Sequence, residues 1–335
     1  ISNISQSLTV HPVIRSVSEQ HAAKKRCALS CRALNGGEGT QRQILRSGIG
    51  FKRLNRILLT HAHLDHILGL GGLVSTFARW ENITELEIWG GRATLERVQN
   101  LLYGVVLDFE RLPIKIHLVD IKPGRIFSAK DFTVSAFPVT HRGSGCFGFV
   151  FQEKTRRPFL AEQAAALGVP FGPERTRLVN GEAVTLADGR VITPEMVLGA
   201  TVPGVKLVHI GDIGRLDNVR DHVAGADALV IEATFLAQDA DAARAFGHIT
   251  AREAAELARD TGVRALILTH VSRRYRERDI VQEARSVFPE THVARDMDHF
   301  VLRRGSLPEK RQAGPGQSCA DDTAYIEEQE GIADG

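Results

Sequence analysis

The chain has 335 residues, 43% hydrophobic and 24% charged, which is the composition of a folded globular protein and excludes a disordered one. No run approaches the ~18 uninterrupted apolar residues of a membrane span, so an integral membrane protein is excluded as well. Formal net charge is +2, from 42 basic and 40 acidic side chains; any nucleic-acid surface therefore has to be local. Residues 1–34 show no period of 2 or 3.6 and no apolar secretory core. From Ile57 the chain becomes orderly. ILLT (57–60) reads as a short buried strand and LGLGGLVSTFARW (68–80) as a helix. LEIWG (86–90) is a strand, ATLERVQNLL (93–102) has helical spacing, and IKIHLVD (114–120) alternates as a strand. FTVSAFPV (132–139) and FGFVFQE (147–153) are two more strands.

The texture then changes. Residues 160–204 hold a short helix, a Pro-Gly tip and a hairpin turned by Asp188-Gly189, with apolar residues too scattered for a core. Order returns with strands at 205–212, 228–234 and 265–270 and helices at 250–261 and 277–287. Alternating strand and helix argues an α/β fold. The tail 306–335 lacks periodicity and reads as disordered. The four cysteines, Cys27, Cys31, Cys146 and Cys319, make no CxxC pair and no disulfide framework, which fits a reducing cytoplasm.

The chemistry centres on His61-Ala62-His63-Leu64-Asp65-His66, delivered to a sheet edge by ILLT. His61 and His63, two apart in extended chain, point the same way. Asp65 and His66 follow where the chain turns towards a helix. Four metal-capable side chains in six residues can surround two adjacent ions. Three more such residues each end an apolar run: His141 after FTVSAFPVT, Asp212 after VKLVHIG and His270 after ALILT. Taken singly, Asp212 could cap a turn and His141 could be a core histidine. The repetition of the arrangement argues for ligands gathered at strand ends. Imidazole and carboxylate without thiolate suit zinc or manganese.

These residues resemble the metallo-β-lactamase superfamily, whose signature is HxHxDH, and within it the ribonuclease Z family of tRNA 3′-processing endonucleases. GEGTQRQILRS (37–47), PVTHRGSGCFGFVF (138–151), VLGATVPGVKLVHIGD (197–212), IEATF (231–235), FGHIT (246–250) and LTHVSRRY (268–275) all look like family segments. The resemblance covers 37–304. It implies a four-layer αββα metallo-β-lactamase sandwich over 35–305, with 160–204 as an inserted flexible arm that holds tRNA. It implies two zinc ions per chain, manganese being the alternative. One would bind His61, His63 and His141, the other Asp65, His66 and His270, with Asp212 bridging. Asp65 would also accept the proton of the attacking water. Glu232 and His248 would assist protonation of the leaving oxygen, and Ser272 and Arg274 would contact substrate phosphates. Arg175 and Arg177, in the arm, are further candidates for RNA contact. The implied activity is removal of 3′ trailers from precursor tRNA by a homodimer, leaving a 3′-hydroxyl. A less selective phosphodiesterase or exoribonuclease, and a non-catalytic RNA-binding relative, remain as rival readings.

Several positions depart from the family pattern. Ile213-Gly214 replaces a hydroxyl and a basic side chain after Asp212, Asn35 stands where an aspartate is usual, and Ile249 where a serine is common. The opening strands are not recognisable within 1–34, which is expected to pack poorly. A shifted frame, a misassigned start or ordinary divergence would each leave such a boundary. His117 and His209 read as structural, as do Asp296, Asp298 and His299.

Overall fold

A computed structural model describes residues 13–14, 32–47, 51, 54–80, 83–107, 114–129 and 131–312. After β1 (Val13–Ile14), strands β2 (Arg32–Leu34), β3 (Arg56–Leu58), β4 (Glu85–Gly90) and β5 (Lys115–Asp120) form an all-parallel sheet in that order. Helices α1 (Thr40–Ser47), α2 (Leu64–Ile67), α3 (Leu70–Trp80) and α4 (Arg92–Leu101) connect them. Strands β6 (Gly124–Ser128), β7 (Phe132–Pro138) and β8 (Phe147–Glu153) make an antiparallel meander. The segment that follows holds α5 (Ala161–Ala166), α6 (Pro173–Val179), a hairpin of β9 (Val184–Thr185) and β10 (Val191–Ile192), and α7 (Pro194–Val197). Strand β11 (Lys206–His209) returns antiparallel to β8, and β12 (Ala228–Glu232), β13 (Leu266–Thr269) and β14 (Thr291–Val293) extend it in parallel. The seven-stranded order is β14-β13-β12-β11-β8-β7-β6. Helices α8 (Arg220–Val223), α9 (Ala240–Phe246), α10 (Ala251–Asp260) and α11 (Glu277–Arg285) link its parallel half. Strand β15 (Asp298–Leu302) lies between β1 and β16 (Glu309–Gln312) in a third, small sheet.

The period of 2 along these strands sorts side chains into layers. Phe147, Phe149 and Phe151 of β8, Val134 and Ala136 of β7, Val230 of β12 and Leu58 of β3 share one buried cluster, the layer between the sheets. Leu229, Ile231, Leu266 and Leu268 point the other way and pack with Ala254, Leu257 and Ala258 of α10. Ile57 and Leu59 pack outward with Leu70, Val74 and Phe77 of α3. Helix, sheet, sheet and helix therefore stack in the αββα order expected. Strands β12 and β13 bury both faces, which is why they read as unbroken apolar runs. Helix α10 starts at a capping box, Thr250 and Glu253 each satisfying the other's backbone N–H.

Three expectations need correction. Residues 160–204 do have a core: Ala164, Val169, Leu178, Val184, Ile192 and Val197 are buried together. They come from five short elements and the loops between them, so no single element shows a period. The tail is not wholly irregular, since Glu309–Gln312 pairs antiparallel with β15. Within 1–34, Val13–Ile14 pairs with β15 and Arg32–Leu34 with β3, so these two pieces are ordered strands. Residues 1–12, 15–31 and 313–335, on which the other expectations for the termini fall, lie outside the described residues. No described helix is long and apolar enough to cross a membrane.

The inserted segment leaves β8 and returns to β11, which are already hydrogen-bonded neighbours. Its two legs continue as an antiparallel ribbon, with Arg156 opposite Val202 and Phe159 opposite Leu198. At the base, Val205 N–H donates to Glu153 Oε2 at 3.1 Å, and Gln152 Nε2 donates to the Gly204 carbonyl at 3.2 Å.

The loop 35–37 lies tightly on α2: Gly36 N–H donates to the His66 carbonyl at 2.7 Å. A Cβ on Gly69 would sit 1.8 Å from the Gly37 carbonyl oxygen. Gly69→Ala must therefore force the α2–α3 junction and this loop apart, next to Asp65 and His66. We expect it to cost ~1–3 kcal/mol of stability, the range for overpacked sites, and to lower activity with it. Thermal denaturation checks this; an unchanged melting temperature would show the contact to be slack.

Candidate metal centre

All seven predicted ligands meet at one end of the two sheets. Thr60 ties the sheets together there, its carbonyl accepting from Phe147 N–H at 2.8 Å. His61 follows it, His63 caps α2 in extended conformation, and Asp65 and His66 occupy the first turn. His141, Asp212 and His270 arrive from the ends of β7, β11 and β13 of the larger sheet. His270 adopts φ +54°, a left-handed conformation rare for a side chain with a Cβ. The backbone leaves the strand conformation at this residue, and the imidazole faces Asp65 and Asp212.

Asp212 sits at the centre, 4% exposed. Its Oδ2 lies 3.5 Å from His61 Nε2 and 3.7 Å from His141 Nε2. Its Oδ1 lies 3.3 Å from His66 Nε2 and 3.6 Å from His270 Nε2. His63 Nδ1 is 3.3 Å from His141 Nε2, and Asp65 Oδ2 is 3.2 Å from His270 Nε2 and 3.4 Å from His66 Nε2. Two donor sets result, His61, His63, His141, Asp212 and Asp65, His66, Asp212, His270. Within each, the donor atoms lie within 4.8 Å of one another. A divalent cation fits these residues. His61 Nε2, His66 Nε2 and Asp212 Oδ1 are buried and make no hydrogen bond, which is costly for polar atoms unless something else satisfies them.

The outer ring nitrogens are fixed. Asn35 Oδ1 accepts from Thr60 N–H at 2.9 Å and from Thr60 Oγ1 at 3.0 Å, leaving that oxygen to accept from His61 Nδ1–H at 3.0 Å. His141 Nδ1–H donates to the Gly247 carbonyl at 2.8 Å. Thr234 donates its hydroxyl to Glu232 and accepts from His270 Nδ1–H at 2.8 Å. Each contact leaves Nε2 as a lone-pair donor aimed inward. Asn35 here does what a carboxylate would do, accepting twice from Thr60. Thr60 and Thr234 were missed in the sequence; hydroxyls directly before a buried His, or two residues after a buried Glu at a strand end, were the available signal.

Glu232 is fully buried and its oxygens are spoken for. Oε1 accepts from Ile213 N–H at 2.7 Å and from His248 Nδ1–H at 2.9 Å, while Oε2 takes the Thr234 hydroxyl. It is thus an orienting group, although it lies within ligand range of His248 and His270. The Ile213 departure is explained here: the backbone serves Glu232 and the side chain joins the α10 core. The His248 ring stacks on that of His270 at 5.5 Å and lies tilted by 50° to that of His141 at 5.2 Å. Ser272 Oγ accepts from Arg274 N–H at 3.3 Å, and the exposed Arg274 guanidinium lies 5.7 Å from the Phe235 ring, which neighbours His248.

The arm arginines do not reach this centre. Arg175 corrects the expectation of an RNA contact: it is 8% exposed and donates inward to the carbonyls of Pro170 and Val169 at 3.1 and 3.0 Å. Arg177 pairs with Glu182 at 3.1 Å. Asp296 accepts from Gln43, and Asp298 pairs with Lys310, so neither belongs to a ligand group. His209 is buried and uncharged, burial pushing it down to about 4.

Burial opposes charge on Asp65 and Asp212, but their imidazole neighbours outweigh it and hold both far below the usual carboxylate range. The same contacts act on the rings. Burial would lower His66 and His270, yet the Asp212 carboxylate raises both.

The sequence from 37–196 and 176–271 matches the family described as a β-lactamase superfamily domain. Ribonuclease Z of Bradyrhizobium diazoefficiens is 48% identical over 281 residues, spanning 84% of this chain and 91% of that one. The chain belongs to the ribonuclease Z family. A second member, ribonuclease Z of Methanothermobacter thermautotrophicus, is 39% identical over 264 residues, 78% of this chain and 84% of its own. Two solved structures share the fold. Human tRNase Z, short form, has a TM-score of 0.54 at 22% identity, covering 85% and 95% of the two chains. The metallo-β-lactamase fold protein YhfI of Bacillus subtilis has 0.55 at 17%, covering 86% and 95%.

Ligation requires unprotonated Nε2 atoms, and the two carboxylates favour protons on His66 and His270. Divalent-ion affinity should therefore rise with pH through the neutral range, with proton release visible by calorimetry in buffers of different ionisation heat. Thr234→Val should release the His270 ring and weaken ion binding by roughly 10–100-fold, measured by competition with a chelator. An unchanged affinity would mean packing alone holds the ring.

Proposed function

We propose that this chain removes 3′ trailers from precursor tRNA as a metal-dependent endoribonuclease, leaving a tRNA 3′-hydroxyl. One observation carries the reading: two four-donor sets share a buried carboxylate in a member of the ribonuclease Z family. Donor sets of imidazole and carboxylate suit two zinc ions, manganese being the alternative. His61, His63 and His141 would hold one, Asp65, His66 and His270 the other, and Asp212 both. Bound there, the ions supply neutralisation of the phosphodiester and a more acidic attacking water.

The remaining work falls to the protein. Asp65, held ionised by its histidine neighbours, accepts the proton of the water as its oxygen bonds to phosphorus. Glu232 pins His248 by Nδ1–H, so Nε2 is the atom that hands a proton to the departing 3′-oxygen as the P–O bond breaks. Arg274, whose guanidinium lies over the Phe235 ring that neighbours His248, and Ser272, which accepts from the Arg274 N–H, would meet the flanking phosphates. Residues 160–204 form the arm that grips the tRNA body. The family resemblance supports a homodimer, and precursor tRNA as substrate supports a cytoplasmic location, where the unpaired Cys146 thiol stays reduced.

Elemental analysis after mild purification should give close to two metals per chain. Asp212→Ala should lose more metal than any terminal-ligand variant, since it serves both ions; activity that survives chelation would overturn the reading. His248→Ala should keep both metals and lose turnover by roughly 10²–10⁴-fold. Loss of metal would instead make it a ligand. Deleting the arm should impair cleavage of precursor tRNA far more than hydrolysis of a small phosphodiester, and equal loss on both would contradict its role.

A further inference from the structure

The arm carries five carboxylates against three arginines. Arg175 is buried, and the other two each have a carboxylate of the same segment beside them, Arg177 with Glu182 at 3.1 Å and Arg190 with Asp188 at 2.7 Å. Residues 160–204 thus carry no net positive charge to offer a polyanion, and a grip on RNA beyond Arg156 and Arg157 at the base needs a contact that is not electrostatic. Phe171 supplies one. It is the most exposed large apolar side chain of the segment, at 79%, and it stands in the Pro-Gly turn between α5 and α6.

Its surroundings are built for it. The Arg175 guanidinium lies 3.7 Å from the centre of the Phe171 ring, with Phe159 at 5.7 Å. That guanidinium is anchored by the Val169 and Pro170 carbonyls, and its Nη1 is buried without a hydrogen bond. Burying an arginine this way is costly, and what it obtains is the face of the ring. The backbone is fixed too. Pro170 precedes Phe171, and Gly172 follows at φ +129°, a conformation closed to other residues, ahead of Pro173 at the start of α6. A large apolar ring is thus held in water, oriented, with a cation behind it drawing electron density from its outer face. Such a ring loses little freedom on binding, and an electron-rich purine is its natural partner.

We infer that Phe171 is a stacking platform for a nucleobase exposed on the tRNA body, and that the arm holds RNA by this contact and not by charge. The inference rests on the proposed tRNA-processing function. The test compares full-length wild type, Phe171→Ala, Phe171→Trp and Arg177→Ala on precursor tRNA and on bis(p-nitrophenyl) phosphate. Phe171→Ala should raise KM for precursor tRNA about tenfold, the scale of one lost base stack, relative to any change on the small diester. Phe171→Trp should restore it. The slope of log affinity against log salt should be the same in wild type, Phe171→Ala and Arg177→Ala, since no counterions are released at the arm. An unchanged KM in Phe171→Ala, failure of the tryptophan to restore it, or a shallower slope in Arg177→Ala would each overturn the inference. So would a change in oligomeric state in Phe171→Ala, which would assign the ring to a second copy of the chain. Wild type that hydrolyses the small diester but leaves precursor tRNA intact would instead overturn the functional reading beneath it.

Discussion

Asp212 is a carboxylate sunk among four imidazoles at the junction of two sheets, and its position constrains the rest of the chain. An ion cannot be buried without counter-charge. Two of its neighbours come from the His61–His66 segment of the smaller sheet, and two from strand ends of the larger one. Neither sheet alone could solvate it. The layer of Phe147, Phe149 and Phe151 between the sheets then has a purpose beyond its own burial: it fixes the distance across which these ligands meet.

Electrostatics and hydrogen bonding divide the task. The carboxylates set the charge that the centre wants to receive. The relays from Asn35 through Thr60, from the Gly247 carbonyl, and from Glu232 through Thr234 set the direction in which each imidazole offers its lone pair. Glu232 serves both sides of this arrangement, steadying His270 through a hydroxyl and His248 directly. A single buried glutamate thereby couples a candidate ligand to the candidate proton donor, which neither residue's local sequence would suggest.

The layers and the seven clustered donors were legible because each leaves a local trace. Period-2 and unbroken apolar runs mark strands, and HxHxDH puts four donors in six residues. His141, Asp212 and His270 were legible because each ends such a run. What stayed hidden has no local period. The core of 160–204 is assembled from single residues on different short elements and loops, such as Val197 of α7 and Val169 between α5 and α6. Strand β16, with Glu309 and Lys310, lacks apolar alternation and exists because it pairs with β15. Arg175 showed its charge but not its burial, which depends on Phe171 and on two carbonyls folding back over it. The threonine relays depend on approaches such as Thr234 to His270, 36 residues apart.

The point at which the excursion containing residues 160–204 is inserted, between β8 and β11, has an evolutionary consequence. Strands β8 and β11 would be neighbours with or without the insertion, and the Glu153–Val205 and Gln152–Gly204 contacts close its base. The ends of the excursion are held together by the sheet itself, so its length enters the stability of the fold only through a slowly growing closure entropy. The inserted segment can be lengthened, shortened or refashioned while Asp212, three residues beyond the end of β11, keeps its place. The inserted segment and the candidate metal centre are in this sense separately heritable, joined by two strands whose register belongs to the sheet.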